Sequence, residues 1–251
     1  MERAGLQELD AFPRPSLAVD PAILGVEDGR LITLLWRREN PPNEGAWALP
    51  GVFVNEDEGL EEAVARGLST KAGIGDRVRA HQILTWNKPG RDPRGWVVTV
   101  AYLVPLHGLR LTRAAEPGGP TERFFVELPP RAATSKPARL VRPNGDLVQP
   151  AFDHDQILAY ARRRLAYKLE YQNVAWSLLP ETFTVTELRR VYEAGIGRAF
   201  EPNNFRRIAL GWGVLAESGE RPTGGRPAAT YRFADTRPLI LAQSARYRRS
   251  G

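Results

Sequence analysis

The chain has 251 residues, 42% of them hydrophobic and 25% charged, with a formal net charge of +6. That is enough chain for two domains of ordinary size, and the composition is one that builds a packed core. The absence of cysteine excludes disulfides and thiolate metal sites and suits a reducing cytoplasm, and no apolar run approaches the ~18 residues of a membrane span.

Residues 1–15 are expected to form an N-terminal arm, because Pro13 and Pro15 disfavour helix around Arg14. Their opening, MERAGLQELDAF, lacks the basic-then-apolar pattern of a signal peptide, so a cytoplasmic protein is expected. Ser16 to Val26 and Leu31 to Arg38 are β-rich runs joined at Glu27-Asp28-Gly29, a hairpin signal. A polar loop, ENPPNEGA, leads to Trp47-Ala48-Leu49-Pro50. From Leu60 the apolar positions 60, 63, 64, 67 and 68 follow helical spacing, and Gly73 predicts the C-cap. Further strands are expected at His81 to Trp86, Trp96 to Leu106 and Arg123 to Leu128. Many strands around one early helix predict an α+β domain over 16–150.

The stretch GVFVNEDEGLEEAVARGLSTKAGI, Gly51 to Ile74, resembles a Nudix box, G-x5-E-x7-R-E-U-x-E-E-x-G-U with U aliphatic. Glu58, Arg66, Leu68, Gly73 and Ile74 fit the pattern; Gly67, Thr70 and Lys71 stand where three glutamates belong, and Val52 where the first glycine does. In a Nudix hydrolase such carboxylates hold Mg²⁺, which polarises a diphosphate and activates water. Exchanging three carboxylates for one ammonium moves the local charge from −3 to +1. Hence no bound metal and no catalytic residue are expected. Lys71 is expected either to meet a phosphate in the metal's place or to face solvent. Arg66 is expected to be structural, paired with Glu58 or a loop carbonyl. Arg37 and Arg38 end a strand near the box, and either meet phosphates or are solvated edge charges. Trp47, Phe53, Trp86 and Trp96 either stack on a base or belong to the core. His81, His107 and His154 have no metal-ligand spacing.

Residues 129–150, rich in Pro, Arg and Ala, read as an extended connection with a turn at Pro143-Asn144-Gly145-Asp146, leading to a boundary near Phe152-Asp153-His154. A long helix is expected from Asp155 to Glu170, with Leu158, Ala161 and Leu165 on one face and Arg162, Arg163 and Lys168 solvated. Charge divides near the same point. Residues 1–155 carry 19 Lys+Arg and 21 Asp+Glu, and residues 156–251 carry 16 and 8, a net of +8 that directs attention to nucleic acid.

Thr184-Val185-Thr186-Glu187 is a capping box, opening a helix that buries Leu188, Val191 and Tyr192. A second helix begins at Pro202, with Phe205, Ile208, Ala209 and Trp212 spaced i, i+3, i+4, i+7. That spacing leaves Asn203, Asn204, Arg206 and Arg207 on the open face. Val214-Leu215, the loop SGERPTGGRPAA and Thr230 to Phe233 predict a β-hairpin, so 151–235 reads as a winged helix-turn-helix, with 236–251 a basic tail. Arginine pairs with guanine edges and asparagine with adenine edges. Arg221 and Arg226, near a Gly-rich tip, are placed to reach phosphates or a minor groove.

A degenerate Nudix box followed by a basic winged helix resembles the Nudix-related transcriptional regulators, the NrtR family. The likeness runs through PRPSLAVD, WALPG, AFDHDQI, LEYQNVAWSLLPETFTVTELRRVYEAGIGR, NNFRR and GGRPAATYRF. It implies a homodimeric, cytoplasmic repressor on a palindromic double-stranded DNA operator, controlling genes of NAD metabolism or sugar use. It also implies an ADP-ribose-type nucleotide effector beside the eroded box, where Arg37, Arg38, Trp47, Phe53, Glu58 and Lys71 are the candidate contacts. Thr186, Asn203, Asn204, Arg206, Arg207 and Arg226 are implied at or near DNA. The competing reading is an active Nudix hydrolase of ADP-ribose or a related nucleotide diphosphate.

Overall fold

The computed structural model describes residues 12–75, 78–114, 119–127, 136–222, 227–237 and 241. Most of residues 1–15 and 236–251 lie outside them, as does Arg226. A long mixed sheet carries the order β5-β6-β1-β2-β7-β8-β9. Its strands are β1 (Ser16–Glu27), β2 (Arg30–Arg37), β5 (His81–Trp86), β6 (Val97–Pro105), β7 (Thr121–Glu127), β8 (Arg139–Val141) and β9 (Leu147–Val148). Two short strands, β3 (Trp47–Ala48) and β4 (Val52–Phe53), pair with β2 and β1. The β1–β2 turn forms as the sequence predicts, with Asp28 and Gly29 both at positive φ (48° and 73°).

Both faces of the sheet are covered, and alternation along the central strands sorts the two cores. Val19 and Ile23 of β1, Ile32 and Leu34 of β2, and Val100, Tyr102 and Val104 of β6 face helices α1 (Leu60–Ala72) and α2 (Gly108–Ala114). Ala22 and Leu24, Leu31 and Leu35, and Ala101 and Leu103 face the other way, toward α3 (His154–Tyr171). Helix α1 buries Ala63, Val64, Gly67 and Leu68, as its periodicity requires, and Gly73 caps it at φ 63°.

Helix α3 buries Ile157, Leu158, Ala161, Leu165 and Leu169 in a core that also holds Leu188, Tyr192 and Phe205 of the C-terminal module. One apolar mass thus runs from the sheet through α3 into that module. After a 3-10 turn at Val174–Leu178 the module comprises β10 (Phe183–Thr184), α4 (Val185–Ile196), α5 (Pro202–Leu210), β11 (Leu215–Arg221) and β12 (Ala228–Phe233). The strands pair in the order β10-β12-β11. The capping box forms in both directions: Glu187 N donates to Thr184 Oγ1 at 3.2 Å, and Thr184 N donates to the Glu187 carboxylate at 2.6 Å.

Four local expectations are corrected. The described part of 129–150 is not an extended connection, because β8 and β9 form a hairpin that prolongs the sheet. Its turn is closed by Arg142 N to Asp146 O (2.9 Å) and opened to positive φ by Gly145. Helix α2 was not expected over Gly108–Ala114. The wing strands run to Arg221 and resume at Ala228, so its loop is shorter than the Gly/Pro-rich run suggested. Arg162 is not merely solvated, since it donates to Ile196 O at 2.9 Å across the α3–α4 contact. No helix among the described residues is long and apolar enough to cross a membrane.

Candidate functional site

Strand β1 pairs with β4 through Ala18 and Val19, and with β2 through Leu24 to Glu27. Among the described residues no strand pairs on that side with the stretch between, which includes Asp20 and Pro21, a residue with no N–H to offer. There the sheet opens onto a cavity of about 260 Å³. It is lined by Asp20, Arg38, Gly51, Phe53, Lys71, Arg91, Asp92, Arg94, Phe152 and His154, among others. Gly51 is fixed by this geometry, because a Cβ there would lie 2.0 Å from Asp20 Oδ1.

Besides Arg91, three cations line the cavity. Lys71 Nζ donates to Gly51 O at 2.5 Å and lies 4.5 Å from the Trp36 ring. Burial lowers its pKa, and the nearby Arg38 lowers it further. Arg38 is steadied by Pro42 O (2.9 Å) and lies 4.8 Å from the Phe152 ring. Arg94 is gripped by both oxygens of Asp92, at 3.0 and 2.6 Å, and sits 5.0 Å from the Phe53 ring.

Beneath them lies a buried charge network. Arg91, only 5% exposed, donates to both oxygens of Asp153 at 3.1 and 2.7 Å and to Asp20 at 3.3 Å. Burial alone lowers the Arg91 pKa, but the bonds to Asp153 and the charge of Asp20 raise it above its ordinary value. His154 accepts from Leu49 N at Nδ1 (3.0 Å), so its proton sits on Nε2, which faces Asp20 Oδ1 at 3.7 Å. Burial is the largest influence on this ring, lowers its pKa and keeps it neutral.

The box itself is rearranged for structure. Glu58 pairs with Arg66, accepts from Asn55 N at 2.7 Å, and has its pKa lowered first by Arg66. Arg66 also donates to Phe53 O at 2.7 Å, as expected of a structural residue. Thr70 turns its hydroxyl back onto Arg66 O at 2.7 Å. A Cβ at Gly67 would lie 2.5 Å from Pro50 O, so the helix passes too close to that loop for any side chain. Of the three carboxylates that line the cavity, Asp20, Glu39 and Asp92, two are engaged, Asp20 with Arg91 and Asp92 with Arg94. Among the described residues no three His, Cys, Asp or Glu side chains gather to hold a metal ion. The residues present do not fit the Mg²⁺ of a Nudix hydrolase.

Gly67→Ala is expected to destabilise the protein by about 1–2 kcal/mol. The overpacking of roughly 1–3 kcal/mol exceeds the ~1 kcal/mol by which alanine favours a helix, since a backbone carbonyl cannot swing aside. Urea titration would show it; a midpoint equal to or above wild type would contradict the packing.

Of the six residues expected around the cavity, Arg38, Phe53 and Lys71 line it. Arg37 turns away to Gly45 O (3.2 Å), Trp47 packs edge-on against Phe124 with ring centres 5.3 Å apart, and Glu58 is held by Arg66. Sequence reasoning missed Asp20, Arg91, Asp92, Arg94, Phe152, Asp153 and His154. A Phe-Asp-His-Asp run directly before an amphipathic helix was the available signal, read instead as a boundary.

The second candidate surface is the open face of α5. Phe205, 1% exposed, anchors it against Tyr192, Phe200 and Trp212 at ring distances of 5.4, 5.7 and 6.1 Å. Glu201 caps the helix, accepting from Asn203 N (2.9 Å) and Asn204 N (2.6 Å). Asn203, Asn204, Arg206 and Arg207 are then exposed together, with Thr186 exposed in the first turn of α4. Arg207 donates to Asn204 Oδ1 at 2.8 Å, and Arg206 reaches the Tyr231 hydroxyl of the wing at 3.4 Å. Arg221 is not at the tip, because it is clasped to Glu187 at 2.8 Å and donates to Thr182 O at 2.8 Å.

Both parts of the chain match known protein families. The NUDIX domain family model matches residues 17–147, and the NrtR DNA-binding winged helix domain matches 175–233. The ADPR responsive transcriptional repressor NtrR of Acinetobacter baylyi is 36% identical over 226 residues, covering 89% of this chain and 84% of that protein. The ADP-ribose pyrophosphatase of Methanocaldococcus jannaschii is 31% identical over 158 residues, covering 63% of this chain and 79% of that protein. Shewanella oneidensis NrtR, in its crystal structure complexed with a 27mer DNA, superposes with a TM-score of 0.71 at 31% identity, over 86% of this chain and 93% of that one. With a Nudix fold and an NrtR winged helix in series along its length, the chain belongs to the NrtR family of Nudix-related transcriptional regulators.

Proposed function

We propose that the protein is a DNA-binding transcriptional repressor whose Nudix domain binds a nucleotide diphosphate of the ADP-ribose class without hydrolysing it. The observation that carries this reading is the pairing of an open Asn/Arg face on α5 with a cavity presenting Arg38, Lys71 and Arg94, of which Lys71 stands where a Nudix box carries a glutamate. A diphosphate needs its charge met, and guanidinium and ammonium groups meet it directly, as a metal does elsewhere. Phe53 and Phe152 supply apolar surface for a base or sugar beside those cations. No metal enters this scheme, so no metal-bound water is generated to attack the diphosphate, and binding ends in release.

On DNA, the exposed helix α5 enters the major groove. Arg206 and Arg207 read guanine edges or phosphates, Asn203 and Asn204 read adenine edges, and Thr186 meets the backbone. Arg226, which lies outside the described residues, joins them, whereas Arg221 aims the wing through Glu187. A homodimer would place two such helices on the halves of a palindromic operator. The relatives' names support both ligands, one being an ADPR-responsive repressor and another an NrtR complexed with DNA.

The test is duplex affinity with and without ADP-ribose, using a duplex that the protein itself selects from a random pool. Arg206→Ala is expected to lose about 1–3 kcal/mol of binding to that duplex, roughly 5- to 150-fold, if it bonds a base edge. Wild-type affinity in that variant would remove α5 from the groove. The hydrolase reading is favoured by the pyrophosphatase relative. It is separated by incubating the protein with ADP-ribose and Mg²⁺, where AMP release abolished by Glu58→Gln would establish turnover.

A further inference from the structure

We propose that Arg91 and Asp153 form a latch through which a ligand in the cavity is read by helix α3. Arg91 lines the cavity on one side and holds the Asp153 carboxylate bidentately on the other. Asp153 is the N-cap residue of α3, yet its side chain makes no capping bond; Arg91 has taken the carboxylate that would serve. Gln156 N is satisfied instead by the Asp155 carboxylate at 2.8 Å and by Asp153 O at 3.1 Å. Asp153 therefore has two alternative partners, a guanidinium in the cavity wall and the first turn of its own helix.

Two further observations place the switch at this corner. Phe152, immediately before the cap, sits at φ 55°, a conformation disfavoured for a bulky side chain, and its ring lies in the cavity wall between Arg38 (4.8 Å) and Arg94 (5.8 Å). His154, immediately after it, accepts from Leu49 N, the residue two before Gly51. The start of α3 is thus fastened to the cavity by three consecutive side chains, while the rest of α3 shares its core with Tyr192 and Phe205 of the winged helix. An anionic group entering beside Arg91 competes for its N–H donors, frees Asp153 to cap α3, and lets the strained corner relax. Because α3 shares one core with the sheet and with the α4–α5 pair, that change of cap reaches the pair.

The latch rests on the reading of the cavity as an effector site, and full-length protein separates the two. Asp153→Asn and Asp153→Ser cannot form the ion pair but remain good N-caps, so both mimic the released state. In both, ligand-free affinity for the selected duplex is expected to move roughly tenfold or more toward the wild-type value at saturating ADP-ribose, and the ligand's remaining effect to fall below about twofold. Hydrogen exchange at the amides of residues 155–157 should slow in both variants, as in wild type with ADP-ribose. Ligand-free affinity and amide exchange both as in wild type would overturn the latch. If ADP-ribose fails to bind wild type while the variants still shift affinity and slow exchange, the latch stands and the identity of the effector falls.

Discussion

Arg91→Leu is expected to lower the unfolding free energy by about 3–5 kcal/mol, the usual cost of removing one partner from a buried ion pair. The side chain of Arg91 is 5% exposed and those of Asp20 and Asp153 are 8%, so neither carboxylate is rehydrated when the guanidinium goes. Two buried acidic groups left without the guanidinium must take up protons or draw water in from the cavity, and either costs stability. Leucine fills part of the volume, so the loss reflects charge more than a void. Denaturant titration with an unchanged slope would measure it. The double variant Arg91→Leu, Asp153→Asn should recover part of the loss, since one unpaired charge is then gone. An unfolding free energy in the single variant within about 0.5 kcal/mol of wild type would mean that solvent already supports this network.

Phe205→Ala is expected to destabilise by a similar amount, about 3–5 kcal/mol, and to abolish duplex binding. Helix α5 has nine residues, too few to persist alone in water, so its conformation depends on the face it buries. Phe205 is the centre of that face, meeting Tyr192, Phe200 and Trp212. Without the ring, the exposed Asn203, Asn204, Arg206 and Arg207 keep their chemistry and lose their common orientation. Calorimetric titration with ADP-ribose distinguishes local from general damage, because the cavity is built from other elements. Ligand affinity should stay within about threefold of wild type while the selected duplex is no longer bound. Retained duplex affinity would mean that α5 does not depend on this anchor.

The winged helix was legible in sequence because its signals are local. A capping box at Thr184, a proline at the first position of α5 and an i, i+3, i+4, i+7 apolar stripe each constrain neighbours within one or two turns. The structure realises the first two, and of the stripe it buries Phe205 and Ala209 in the helix and Trp212 just beyond its end. The hairpin of β1 and β2 and the extent of α1 followed for the same reason. The cavity was less legible because its walls come from distant segments. Asp20, Arg91 and Asp153 are 71 and 62 residues apart in the bonds that join them, and nothing in local periodicity announces such a meeting. Lys71 and Arg38 were found because they flank a recognisable box. Trp47 and Arg37 were proposed on the same grounds and lie elsewhere, since adjacency in sequence alternates sides along a strand. The β8–β9 hairpin was obscured by its composition, rich in Pro and Arg, although its Asn-Gly-Asp turn was visible.

Gly67 has a consequence for restoring the acidic box that goes beyond stability. The glutamate that a Nudix box carries there would have to push its first side-chain carbon into the carbonyl of Pro50. Restoring that one residue meets a steric wall unless the loop at Pro50 first moves outward. Reverting Thr70 and Lys71 alone rebuilds only part of the acidic cluster. Rebuilding the full cluster therefore requires the loop at Pro50 to be displaced before a glutamate can enter at position 67.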